Sequence, residues 1–156
     1  MKKFLFDCGT RDATASAGLF VLRASVGLMM LIGHGIPKFR NYDSVVQKWH
    51  NLPEQIGLPF LSPQVAVMGA IAGELVAAAL LVLGLMTRPA AFLFGFAMVT
   101  AAFGYHGADP LFFTPEKASK ELAVMYLIPA VVILITGAGS WSIDSSLYHD
   151  SKRRRW

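Results

Sequence analysis

The sequence predicts an all-α integral membrane protein, a four-transmembrane-helix antiparallel bundle with both termini on the cytoplasmic side. Three observations predict it. Apolar residues make up 54% of the 156 residues and charged residues only 15%, against about 25% charged in average soluble domains. The apolar residues gather into four long stretches. The basic residues between and beyond those stretches are more numerous on one side.

The predicted helices cover about residues 13–34, 65–86, 89–106 and 121–138. A hydrocarbon core of about 30 Å needs roughly 17–25 residues of helix, so each stretch is long enough to span it. The second half of the second stretch reads Val-Ala-Ala-Ala-Leu-Leu-Val-Leu-Gly-Leu-Met. A helix of a soluble bundle would carry polar residues every three or four positions. The absence of any polar face therefore argues for lipid as the solvent.

The two ends of the chain carry charge and one thiol. The start, Met1-Lys2-Lys3, is like that of a signal peptide. Asp7 interrupts the apolar run too early for one, so we expect the first helix to be retained. Cys8 is the single cysteine, which excludes an internal disulfide. We predict one domain over residues 1–150 and a basic cytoplasmic tail over 151–156.

Loop charges predict the orientation. Eight basic residues lie on the side of the termini: Lys2, Lys3, Arg11, Arg88, Lys152, Arg153, Arg154 and Arg155. Five lie on the opposite side: Lys38, Arg40, Lys48, Lys117 and Lys120. Cytoplasmic loops are enriched in Lys and Arg, so this distribution favours cytoplasmic termini. No basic surface interleaved with aromatic residues exists, which argues against nucleic acid and leaves the lipid bilayer as the partner.

Two charges fall within the predicted spans. Arg23 is in the first helix and Glu74 is near the middle of the second. Ionisable groups at membrane depth need a partner or a purpose. We predict that Arg23 and Glu74 form an ion pair inside the bundle. Such a pair is either a proton or ligand site or a structural clasp between two helices.

The first helix carries a polar stripe. Arg23, Gly27, Met30 and His34 lie within about 60° of one another at 100° per residue. A stripe that holds Arg and His is expected to face the interior of the bundle. Gly27 would let another helix approach closely, and Lys38 extends the stripe by one turn.

Three ionisable residues converge by topology. His34 ends the first helix, His106 ends the third and Glu121 begins the fourth, all at the same end of the bundle. Such a set is suited to metal ligation or to proton relay. The alternative is that they are boundary residues of helix ends. We assign no metal to them.

Three blocks of the chain resemble the DoxX family of small bacterial membrane proteins. They read LFVLRASVGLMMLIGHGIPKF, GLPFLSPQVAVMGAIAGELVAAALLVLGLMTRPAA and KELAVMYLIPAVVILITGAGSWSID. The family-like polar positions are Arg23, His34, Lys38, Glu74, Thr87, Arg88, Glu121 and Asp144, together with His106. The resemblance implies a place among membrane subunits tied to sulfur-compound oxidation with quinone as electron acceptor, or to thiol and oxidative-stress assemblies.

The resemblance thus implies a quinone-associated oxidoreductase subunit of the bacterial inner membrane. Candidate catalytic residues are His34, Glu121 and Glu74, and candidate ligand-binding residues are Arg23, Lys38 and His106. No covalent cofactor is expected. A quinone would be bound, and a peripheral redox partner protein would supply electrons. Two other hypotheses stay open: a non-catalytic membrane anchor or assembly factor for a peripheral redox enzyme, and a small-molecule carrier acting as a homo-oligomer.

Overall fold

The computed structural model describes residues 9–147, so Cys8 and the basic tail lie outside the described residues. Within that range the chain is helical and forms no strand. The long helices are α1 (Ala13–Arg40), α4 (Pro63–Leu83), α5 (Thr87–Tyr105) and α6 (Glu121–Thr136). Between α1 and α4 lie the short helices α2 (Tyr42–Lys48) and α3 (Leu52–Gln55).

The outer surface of the long helices is apolar. In residues 9–147, α1, α4 and α5 are long and apolar enough to cross a membrane, and α6 is a shorter apolar helix of 16 residues. Large apolar side chains point outwards on these helices, with Met29, Phe92 and Ile135 each more than 60% exposed. Water would make such a surface unstable, whereas hydrocarbon solvates it. The chain is therefore an integral membrane protein.

Helix α1 is longer than the sequence predicted. We expected it to end at residue 34, but it continues through Pro37 to Arg40. Pro37 has no N–H to donate to the carbonyl four residues before it. The chain accommodates this with a wide π-helical turn at Leu31–Gly35, in which the Ile36 N–H donates to the Leu31 carbonyl. Lys38 consequently lies on the helix rather than in a loop.

Helices α1 and α4 run antiparallel in close contact, and two glycines of α1 allow it. A Cβ on Gly27 would lie 2.7 Å from Val82 Cγ2 and 2.8 Å from the Ala78 carbonyl oxygen. A Cβ on Gly35 would collide with the backbone of Glu74. The predicted role of Gly27 is confirmed. The predicted stripe also faces inwards, since Arg23, Gly27 and Met30 are buried.

The hydrophobic core lies where α4, α5 and α6 meet. Leu81, Phe94 and Ile133 are fully buried there, among many alanines. Helix α5 packs along both α4 and α6. We call the end of the molecule that carries α2, α3 and residues 106–120 the loop end. The opposite end, with residues 9–12 and 137–147, is the terminal end.

The close packing of α1 on α4 can be tested with one methyl group. Gly27→Ala should lower the free energy of unfolding by about 1–3 kcal/mol, as overpacking of a filled contact does. The matched control is Gly18→Ala, because Gly18 is also on α1 but nothing lies within 4 Å of an added Cβ. That control should be neutral or stabilising, since Ala favours helix more than Gly. Thermal unfolding in detergent measures both; equal stabilities would contradict the proposed register.

Candidate functional site

A cavity of about 750 Å³ opens at the loop end, between the long helices and beneath α2 and α3. Most of its wall is apolar, with Leu, Ala, Phe and Val side chains. Among the described residues, ten polar or polar-tipped side chains share the wall: His34, Lys38, Lys48, Trp49, Glu74, Thr100, Tyr105, His106, Ser119 and Tyr126. An apolar cavity with a small number of polar groups is the usual form of a small-molecule site.

Three π-helical turns surround this cavity, one on each of three helices. They are Leu31–Gly35 on α1, Ala72–Ala77 on α4 and Thr100–Tyr105 on α5. Each contributes residues to the wall, including His34, Glu74 and Tyr105 respectively. Wide turns of this kind are rare and occur often at functional sites, because the extra residue redirects the side chains around it. Their coincidence at one cavity makes this cavity the candidate functional site.

An ion pair between Lys38 and Glu74 lies in the wall of the cavity. The Lys38 Nζ is 2.5 Å from both carboxylate oxygens of Glu74. The side chains are only 15% and 8% exposed. Gly35, one turn before Lys38, allows α1 to touch the backbone of Glu74. The two charges therefore satisfy each other in a region that the helices shield from solvent.

The predicted Arg23–Glu74 pair is wrong. In the antiparallel register Glu74 faces Gly35 and Lys38, while Arg23 lies about two turns further along α4, near Val82. Sequence reasoning placed Lys38 beyond the helix and so overlooked it as the partner. Arg23 does not line the cavity, so it could not contact a ligand bound there as predicted.

Arg23 instead holds the terminal end together. It is fully buried, and its guanidinium donates to the carbonyls of Leu81 at 2.8 Å, Val82 at 2.9 Å and Ala138 at 3.2 Å, and also to that of Trp141. Carbonyls at the end of a helix lack partners of their own. Arg23 thus closes the end of α4 and fastens the segment after α6 to α1.

Asp144 completes this terminal clasp. Its carboxylate accepts from the Met86 N–H and from the Thr87 N–H, both at 2.8 Å, where α5 begins. The side chain is buried, and its charge suits the positive end of a helix dipole. Met86 has a left-handed backbone with φ 47°, so the turn between α4 and α5 is strained and benefits from this cap.

Three aromatic rings lie next to one another beside the ion pair. The centroid of the Trp49 ring lies 4.7 Å from the Lys38 Nζ and 5.3 Å from the centroid of the Tyr105 ring. Tyr105 in turn meets the edge of His106 at 4.8 Å. These contacts connect the loop after α2 to the end of α5, so the three rings and the ion pair form one unit.

His106 has an acidic partner that sequence reasoning missed. Its Nδ1 lies 2.7 Å from Oδ2 of Asp109. A carboxylate only accepts, so Nδ1 donates to it and Nε2 is the nitrogen left to contact a molecule in the cavity. The spacing His-x-x-Asp at a helix end was the available signal.

His34 lies on the opposite wall. Its ring meets the edge of Tyr126 at a centroid distance of 6.2 Å, and within residues 9–147 it makes no hydrogen bond. Its nitrogens are therefore available to a ligand. His34 and His106 both line the cavity, as their predicted convergence requires.

Glu121 lies apart from these residues. It is exposed at the start of α6 and accepts from the Phe113 N–H at 3.0 Å, which ties the loop of residues 107–120 to the helix. It is not part of the cavity wall, and we leave it out of the site. In the described part of the chain no group of three His, Cys, Asp or Glu side chains has the geometry to hold a metal ion.

Apolar helices around a cavity with an enclosed ion pair define a helical membrane protein with a cavity at one end. The chain belongs to the DoxX family, whose model matches residues 18–107. That range includes Lys38, Glu74, both cavity histidines and all three π-helical turns.

Two curated proteins are similar over most of their length. An uncharacterized protein of Haemophilus influenzae is 33% identical over 132 residues, which are 83% of this chain and 90% of that protein. The inner membrane protein YphA of Escherichia coli K12 is also 33% identical over 132 residues, 81% of this chain and 87% of its own. No solved structure matches the chain significantly.

The importance of the ion pair can be measured by removing one partner. Lys38→Met leaves a shielded carboxylate without its cation and should lower the free energy of unfolding by about 3–5 kcal/mol. The double variant Lys38→Met/Glu74→Gln should recover most of this loss. Lys48→Met is the control, because Lys48 is exposed at the cavity mouth and has no ion pair within residues 9–147. A double variant no more stable than the single one would argue against the pair.

The cap on α5 gives a second test. Asp144→Asn replaces one acceptor oxygen by a donor, so one of two backbone N–H groups loses its partner and stability should fall by about 1–3 kcal/mol. The control is Asp12→Asn at the start of α1. Asp12 accepts one bond, from the Ala15 N–H at 2.8 Å, and Asn is an equally good cap there. Chemical denaturation of both variants in detergent gives the comparison; equal losses would refute the special role of Asp144.

Proposed function

We propose that this protein is a bacterial inner-membrane subunit that binds a quinone-type carrier in the cavity at its loop end. The observation that carries this proposal is the cavity itself, an apolar chamber with an ion pair and two histidines on its wall. Electrons would come from a peripheral redox partner protein, because the sequence has neither a haem nor an iron–sulfur cysteine pattern.

The residues present fit a quinone. A volume of about 750 Å³ falls in the range of about 300–1,000 Å³ typical of small-molecule sites. The apolar wall suits a ring and its hydrocarbon tail. The Lys38 ammonium, the Tyr126 hydroxyl and the His34 ring are groups able to donate to carbonyl oxygens. When bound, a quinone supplies an acceptor for two electrons and two protons.

The residues of the chain would hold the ring and handle protons. His34 has free nitrogens, and His106 has its tautomer set by Asp109. Glu74, held by Lys38, can take up a proton and pass it to the reduced ring if the ammonium turns towards the ligand. His34, Glu74 and His106 are thus the proton-handling residues of this proposal, with Lys38 and Tyr126 orienting the ligand.

We also propose the orientation of the bundle. All four long helices cross the bilayer, with α6 covering about 24 Å at 1.5 Å per residue and the buried segment after it completing the span. The excess of Lys and Arg on the side of the termini supports a cytoplasmic terminal end. The loop end and its cavity then lie in the half of the membrane that faces away from the cytoplasm.

Tryptophan fluorescence tests the binding site. Trp49 lines the cavity, whereas Trp141 is exposed at the terminal end. In a variant that keeps only Trp49, a benzoquinone with a ten-carbon tail should quench fluorescence saturably. In a variant that keeps only Trp141, quenching should rise linearly with the quinone dissolved in the membrane. His34→Leu should weaken saturable binding by about fivefold to tenfold, the equivalent of roughly one hydrogen bond.

The control for that substitution is His50→Leu, since His50 is exposed and lies outside the cavity wall. It should leave the affinity unchanged. Linear quenching at Trp49, indistinguishable from that at Trp141, would reject the quinone proposal.

A further inference from the structure

The cavity has an open rim along α4 and α5, and one residue at the start of α6, Leu122, is also exposed at its edge. A residue that lines a cavity and is also exposed must lie at its edge. On α4 such residues are Val65 and Gly69. On α5 they are Leu93, Phe96 and Thr100, whose spacing of three and four places them on one face of the helix. The two sets face each other across a gap.

The gap exists because α4 and α5 diverge towards the loop end. They touch where Gly73 meets Ala97, since a Cβ on Gly73 would collide with the Ala97 methyl. Beyond that contact Pro63–Ile71 packs on α2 and α3 instead of on α5. The short helices roof the cavity at the loop end, with Ile56 against Gly104, but they leave its side open.

This side opening lies at the depth of the hydrocarbon. Leu93 and Phe96 are near the middle of α5. Phe92, Val99 and Phe103 beside the rim are exposed as well, so the surroundings of the gap are apolar. A second edge, formed by Lys48, Phe113 and Ala118, lies at the loop end, where the polar groups of the lipid or water would meet it.

We propose that the gap between α4 and α5 is a lateral portal, through which a hydrophobic ligand enters the cavity directly from the bilayer. The ligand class is a lipid-dissolved molecule with a polar ring and an apolar tail, the tail remaining in the gap. The identity of the ligand rests on the proposed function, but the route does not. The edge at the loop end then serves exchange of protons with the aqueous side.

Cysteine labelling tests the route without any quinone. Cys8→Ser removes the single cysteine, and Ala70→Cys places one thiol on the cavity wall. In proteoliposomes, a lipid-soluble maleimide should label this thiol faster than a charged, membrane-impermeant thiosulfonate reagent does from either side. Ile128→Cys on the exposed face of α6 provides the rate for a thiol fully open to lipid.

Filling the portal should slow that reaction. Gly69→Phe adds a ring where nothing lies within 4 Å of the new Cβ, and Thr100→Trp fills the opposite edge. Each should lower the rate of maleimide labelling at residue 70 by about tenfold, equivalent to a barrier about 1.4 kcal/mol higher. Gly18→Phe is the matched control, since Gly18 is equally open but remote from the cavity. This control should leave the labelling rate at residue 70 unchanged. The three substitutions, at Gly69, Thr100 and Gly18, should all leave the labelling rate at residue 128 unchanged.

Unchanged labelling in both portal variants would overturn the proposal, as would a charged reagent that reacts as fast as the lipid-soluble one. If the portal variants slow labelling as expected but Trp49 shows only linear quenching, the entry route is supported and the quinone proposal is rejected. The two proposals therefore fail separately.

Discussion

The close antiparallel contact between α1 and α4 is the constraint on which the rest of the structure depends. Gly27 and Gly35 let the two backbones approach, and the register that results brings Lys38 to Glu74 and Arg23 to the end of α4. In lipid, apolar burial does not drive helix association, so close packing at small residues and polar contacts between helices drive it instead. Two cations on one helix thereby contact the middle and one end of its neighbour.

The two ends of the bundle use their polar groups differently. At the terminal end Arg23 donates to four carbonyls and Asp144 accepts from two backbone N–H groups, so both side chains are fully engaged in holding the helix ends. At the loop end Lys38 and Glu74 satisfy each other beside an open cavity, and His34 has no hydrogen bond among the described residues. Polar groups that are fully hydrogen-bonded within the protein stabilise the fold. Polar groups beside a cavity that lack such bonds are suited to binding a ligand.

The sequence predicted the helices and the inward stripe because apolar runs and helical spacing are local signals. The role of Gly27 followed from that spacing, and the convergence of His34 with His106 followed from the order and direction of the helices. The partner of Glu74 did not, because it depends on the interhelical register and on α1 continuing through Pro37. The π-helical turns on α4 and α5 contain no proline or other sequence signal that would predict them. Glu121 contacts the loop through the Phe113 N–H instead of lining the cavity, and the order of the helices alone does not reveal this.

A density map of the protein in lipid nanodiscs, with a tailed benzoquinone added, tests the central claim most directly. The account predicts ring-shaped density between His34, Trp49 and Tyr126, a tail that leaves between α4 and α5, and Lys38 beside Glu74. A cavity closed by side chains, or Glu74 paired with Arg23 instead of Lys38, would contradict it.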